Sequence, residues 1–197
     1  MTDAWQQYVN DVRTWLNQIQ SHSEADSALE KEAMNFKAEL RDLEENDEHY
    51  IQKRMEDIYN NLHVREDRRC KAYGETLGGT GRDADGVCKV ELKRHFDTTI
   101  DGKRSRSATP VGVTFEPIDE KGQALNLAEV AIVQSEVGPF LRALARQGLT
   151  VSALHNHWIN IEPFIMYVHI QDVSEPVKFA GKLHEAFKSL NRMPVQK

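Results

Sequence analysis

The sequence predicts an α+β protein: a helical N-terminal region, then an antiparallel sheet with helices packed on one face. Three observations predict this. No proline or glycine precedes Gly74, so nothing interrupts helix over the first third of the chain. Short segments of alternating polarity begin after Gly86. From Leu127 onward the pattern reads strand, helix, strand, strand, helix, the order of a sheet covered by helices.

Within the N-terminal region, Trp5, Val9, Val12, Leu16 and Ile19 recur at spacings of three and four, the stripe of an amphipathic helix. Ser21, His22 and Ser23 break it. A second helix is expected from Ser23, a residue suited to the N-cap, with Glu24 and Asp26 in the first turn. Its stripe is Leu29, Ala33, Phe36, Leu40 and Leu43. The run from Glu44 to Glu48 reads as a turn, after which Ile51, Met55, Ile58 and Leu62 resume the stripe.

The glycines between Gly74 and Gly86 resemble a phosphate loop in composition only. No Gly-Lys-Ser/Thr follows, and the next segment is a strand rather than a helix. The stretch is therefore read as linker and turn. The expected organisation is an acidic helical region at 1–66, a glycine-rich linker at 67–88, an α+β domain at 89–190 and a tail at 191–197.

In the α+β region, Val87–Leu92 alternates as a half-buried strand, and Phe96–Ile100 pairs with it before an Asp101-Gly102 turn. Residues 102–110, GKRSRSATP, form a basic loop. Lys103, Arg104 and Arg106 either hold an anion or are simply solvated, the commoner outcome. Strands follow at Val111–Phe115 and Leu127–Val133. Ser135 is expected to cap a helix with the stripe Val137, Phe140, Leu141 and Leu144, stopped by Gly148. Strands are expected at Leu149–Ile159 and Phe164–Gln171. Ser174 is the expected cap of a last helix that buries Val177, Ala180, Leu183, Phe187 and Leu190.

Charge and composition exclude several functions. The net charge is −6, but residues 1–66 hold 15 acidic and 7 basic side chains, whereas the remainder holds 16 and 18. The acidic segment repels nucleic acid and anionic membrane surfaces, and the rest is not basic enough to bind DNA or RNA. No apolar run approaches the roughly 20 residues that span a bilayer. With no basic and apolar leader at the N-terminus, the expected location is the cytoplasm. In that reducing compartment Cys70 and Cys88 are expected as free thiols, a disulfide across the glycine-rich stretch being the alternative.

Chemistry concentrates in the segment LTVSALHNHWINIEPFIMYVHI. Three of the eight histidines, His155, His157 and His169, fall within it. His155 and His157, two apart on an expected strand, leave the same face and offer a paired grip on a metal. His169 joins them if the turn is three or five residues long, which places it opposite His155 with Tyr167 opposite His157. A four-residue turn sends it to the other face. The apolar set Phe164, Met166, Val168 and Ile170 favours the joined arrangement, because it leaves Tyr167 and His169 on the more polar side. Three imidazoles with an open fourth position suit a divalent metal, zinc above all. Glu162 and Glu136 are the candidate bases, and Asn156 and Tyr167 the residues that would orient a substrate. The spacing from His157 to Glu162 also occurs in cupin metal sites, but the cupin glycine framework is missing. The competing reading of the histidines is structural: hydrogen-bonded imidazoles on a half-buried sheet, or a pH-sensitive contact.

On these residues the stretch from about Gly86 to Leu190 resembles the bacterial LppY/LpqO family, a domain of unknown function. The likeness rests on Glu136-Val137 opening a helix, SALHNH at Ser152–His157, EPFIMYVHI at Glu162–Ile170, and the helix around Val177–Ala186. Ser152 replaces the threonine common in the family. The family's Pro-Arg-x-Asp phrase reads Lys93-Arg94-His95-Phe96-Asp97 here. Mycobacterial relatives are lipoproteins, a location that this chain, with no lipobox cysteine, does not share in expectation. The resemblance supports the histidines as site residues and implies no particular activity.

Two functions are thus expected. One is a metal-dependent hydrolase or lyase acting on a small substrate. The other is a non-enzymatic module that binds or senses a small ligand while its acidic helices dimerise or recruit a protein partner.

Overall fold

The structure, a computed structural model, describes residues 3–22, 28–43, 47–84, 86–119 and 121–197. It divides into two compact units, residues 1–66 with 118–123, and residues 67–117 with 124–197.

The first unit is built from α1 (Asp3–His22), α2 (Ala28–Glu39) and the beginning of α3 (Glu48–Leu77). The predicted stripe of α1 is its core side: Trp5, Val9, Val12, Leu16 and Ile19 are all buried, together with Ala33, Phe36, Leu40, Ile51 and Ile58. Arg54 lies over the Phe36 ring and donates to Glu32 at 3.1 Å. The expected cap at Ser23, the acidic turn residues Glu24 and Asp26, most of the turn at Glu44–Glu48 and the side chains of Leu29 and Leu62 lie outside the described residues.

The second unit holds two sheets. The larger comprises β1 (Gly81–Ala84), β2 (Val87–Lys93), β5 (Pro110–Phe115), β6 (Ala124–Val133), β9 (Ile165–Ser174) and β7 (Thr150–His155) in that spatial order, all antiparallel, with β10 (Val195–Gln196) also on β2. The smaller joins β3 (Thr98–Ile100) to β4 (Lys103–Ser105) and β8 (Ile161–Glu162). Two helices, α4 (Val137–Arg146) and α5 (Pro176–Phe187), complete the unit.

Alternation along the central strands explains the layers. Val90, Val113, Ala128, Val130, Val168 and Ile170 are buried on one face, where α5 meets β6 and β9 and α4 meets β7. Phe140 of α4 stacks on Phe187 of α5 with ring centres 6.2 Å apart. The opposite face carries Leu127, Glu129, Tyr167 and His169. The small sheet packs over part of it through Ile161, Ile165, Tyr167, Ala108 and Ala131, with Phe96 and Ile100 alongside.

Several local expectations change. The stretch read as a linker is built into regular elements: α3 continues to Leu77, Gly78 ends it with φ 79°, and β1 starts at Gly81. Gly81 has no alternative there, because a Cβ would lie 1.9 Å from the Cys70 carbonyl oxygen. The cysteines, expected as free thiols, form a disulfide joining α3 to β2, with Cα atoms 5.5 Å apart. Compartment chemistry argued for thiols, but the approach of α3 to β1 and β2 brings the two side chains within bonding distance. The cap of α5 is Glu175 rather than Ser174: its carboxylate accepts from the Val177 and Lys178 amides, while the Ser174 hydroxyl donates to Asp172. At α4 a single 3-10 turn, Gln134–Glu136, replaces the expected serine cap.

That turn directs Glu136 inward to a buried ion pair with Arg94, both side chains 1% exposed. Arg94 donates to Glu136 at 2.7 and 3.1 Å, and to the carbonyls of Ala131 and Arg192. Glu136 also accepts from the Val133 and Asn191 amides. Burial alone would raise the Glu136 carboxyl, but Arg94 and the two backbone donors outweigh it and hold the group below the ordinary carboxylate range. A lowered folded pKa means that the pair contributes stability above the unfolded value and loses it as pH falls through the folded one. Glu136→Gln should therefore cost about 3–5 kcal/mol at neutral pH by leaving the guanidinium uncompensated. In urea melts the gap between variant and parent should close as pH falls below about 4.

Candidate metal centre

The site forms on the face opposite α4 and α5, at the edge of the small sheet. His169 is placed by the long pairing of β9 with β6, in which it lies directly across from Glu129, and by β7, where its partner is Ala153. His155, the last residue of β7, lies across from Tyr167. The register expected from a tight turn, His169 opposite His155, is not the one adopted. The strands are joined by a longer connection, residues 156–164, which includes β8.

The two histidines nonetheless share a face, because of a bulge. Val151 pairs with Ile170, and Ala153 with His169, so Ser152 is an extra residue in β7. Continuing the first register would set His155 opposite Met166, on the side covered by helices. The bulge resets the alternation, and His155 emerges beside His169. The Ser152 hydroxyl donates to the His169 carbonyl at 3.4 Å, at the point of irregularity.

His157 follows the end of the strand and is held by stacking. Its ring lies 3.7 Å from that of Tyr167 with 6° between planes, and its centre is 4.9 Å from that of His155. Tyr167 is fixed in turn: its hydroxyl donates to the Ala108 carbonyl at 2.7 Å and accepts from the Trp158 indole at 3.1 Å. Burial raises the Tyr167 pKa against the opposing Trp158 hydrogen bond, and the Glu129 charge adds to the rise, so the phenol keeps its proton.

The outcome is a group of three imidazoles whose candidate ligand nitrogens all lie within 4.8 Å of one another. Around zinc, with Zn–N near 2.0–2.1 Å, tetrahedral nitrogens would be separated by roughly 3.3–3.4 Å, so ring rotation must close the set. The donor chemistry fits such an ion. The His169 Nε2 is buried without a hydrogen-bond partner, an open valence that a metal would satisfy. Glu129 Oε2 sits 3.4 Å from that atom, outside hydrogen-bonding geometry, and 4.0 Å from His157 Nε2. The three histidines could hold a divalent metal, with Glu129 supplying negative charge beside them.

The remaining expected site residues are dispersed. Glu136 is absorbed by Arg94, Val133 and Asn191 and is not among the gathered ligands. Ile161 of β8 turns into the core beneath the small sheet, and alternation leaves Glu162 exposed, across from Thr99. Asn156 is exposed between His155 and His157. Glu129 was missed, although a lone carboxylate within the strand ALNLAEVAIV was a usable signal.

A family model described as Domain of Unknown Function (DUF1259) matches residues 71–189. The chain belongs to this family. All three histidines, Glu129, Tyr167 and the Arg94–Glu136 pair fall within the matched residues. No curated protein and no solved structure matches the chain significantly.

The stacking arrangement generates a prediction. Tyr167→Phe preserves the ring beneath His157 but removes the hydroxyl. With the Ala108 carbonyl and Trp158 indole left without that partner, chemical denaturation should show a loss of about 1–3 kcal/mol.

Proposed function

We propose that this domain binds a divalent transition metal, zinc by preference, through His155, His157 and His169. The observation that carries the reading is the convergence of three imidazole nitrogens around a buried, unbonded His169 Nε2. Neutral imidazoles suit borderline metals, and three protein ligands leave a position for water or substrate, as catalytic zinc sites do. His157 is exposed, which gives a ligand access.

With metal bound, the reaction class the site suits best is hydrolysis or elimination on a small substrate. The metal would supply Lewis acidity and an activated water. Glu129 is placed to take a proton or serve as a fourth ligand. Asn156 would orient substrate between the two histidines. Tyr167, with its hydroxyl engaged on both sides, acts by holding His157 in place. Glu162 would enter only by contacting a substrate from the rim of the small sheet. The phrases SALHNH and EPFIMYVHI are the basis for extending the family likeness to LppY/LpqO proteins.

Protein purified without a polyhistidine tag should carry close to one equivalent of metal by elemental analysis, and less than about a tenth would argue strongly against the site. Zinc at about 100 times its Kd should stabilise the fold by about 2.7 kcal/mol. His155→Ala with His157→Ala should abolish that gain while leaving the metal-free melting temperature nearly unchanged. Glu129→Gln should retain most zinc but lose turnover of any substrate found, separating a base from a ligand.

A further inference from the structure

A second feature lies apart from the histidines. The end of β2, the loop after β4 and the C-terminal segment border an open, solvent-facing cavity of about 460 Å³. Its cationic lining is Lys93, Arg94, Arg104, Arg106 and Arg192, against a single carboxylate, Asp97. Arg104 and Arg106 belong to the basic loop, in the part of the chain that holds 18 basic and 16 acidic side chains.

The cations are not equivalent. Arg94 is neutralised by Glu136, and Arg104 by Asp97 at 2.7 Å. Among the described residues no carboxylate pairs with Lys93, Arg106 or Arg192. Three positive charges therefore face the same space without a partner, a repulsive arrangement that an anion would relieve. Arg94 borders the same space, but its guanidinium is spent on Glu136 and on the Ala131 and Arg192 carbonyls.

We propose that this cavity binds a phosphate group. A dianion with several oxygens matches two free guanidinium groups and an ammonium better than a single carboxylate would, because guanidinium forks engage oxyanions through paired hydrogen bonds. The cavity exceeds the size of phosphate and falls in the range of small-ligand sites, so it admits either inorganic phosphate or the phosphate of a small ester. Ser105 and Thr109 border it, and Ala108 between them accepts the Tyr167 hydroxyl, so one loop serves both the cavity and the support of His157.

The test uses full-length protein stripped of metal with EDTA, so that failure of the zinc reading leaves the result intact. Inorganic phosphate and phenyl phosphate are titrated by calorimetry at constant ionic strength set with chloride. Saturable one-to-one binding is expected, weakened about tenfold or more by Arg106→Gln with Arg192→Gln through loss of charge-assisted contacts, and unchanged in His155→Ala. Tighter binding of the ester would identify a phosphorylated small molecule, and equal or tighter binding of the inorganic ion would identify free phosphate. Should the double variant unfold, amide shifts in the parent decide. Shifts centred on residues 93–97, 104–109 and 192 support the site. Absence of saturation, equal affinity in the folded double variant, or shifts centred elsewhere would overturn it.

Discussion

The arrangement of the candidate centre depends on one extra residue in a strand. Side chains of paired strands alternate with a period of two, so a one-residue change in register exchanges the faces of everything beyond it. Ser152 supplies that change between Val151 and Ala153. Before it, Val151 faces the helices with Ile170. After it, Leu154 takes the helix side with Val168, and His155 is released to the open face beside His169. The same shift that turns Leu154 to the helix side thus assembles two imidazoles. An apolar constraint on one face and a polar grouping on the other are met by a single irregularity.

Around this point the second unit is tied by groups that satisfy one another. Arg94 and Glu136 join the end of β2, the end of β6, the start of α4 and the C-terminal segment in one buried network. Tyr167 joins the central sheet to the loop after β4 through Ala108, and to the connection after His157 through Trp158. Both networks spend strong hydrogen bonds on holding irregular chain, where no ladder of backbone bonds exists to do so. The site is consequently built on rigid strands at His155 and His169 but on side-chain stacking at His157.

Much of this fold was legible in advance because burial follows periodicity. The α1 stripe, the buried sides of α4 and α5, and the division of β9 into Met166, Val168 and Ile170 against Tyr167 and His169 all follow from spacing. Less legible were features that depend on distant neighbours. The Cys70–Cys88 disulfide required the approach of α3 to β1 and β2, and the glycines that resembled a linker instead permit that approach at Gly81. Glu136 read as a base near the histidines because its partner, Arg94, is 42 positions away in sequence.

The sequence by itself determined which residues could hold a metal: a local cluster of histidines on segments of alternating polarity, whose identity and period are properties of the chain alone. Tertiary structure decided how they meet. The bulge at Ser152, the stack of His157 on Tyr167 and the arrival of Glu129 from β6 all arise from pairing between segments, and no local pattern encodes the partner. Short-range periodicity sets the face that a side chain prefers, but only long-range register sets what stands across from it.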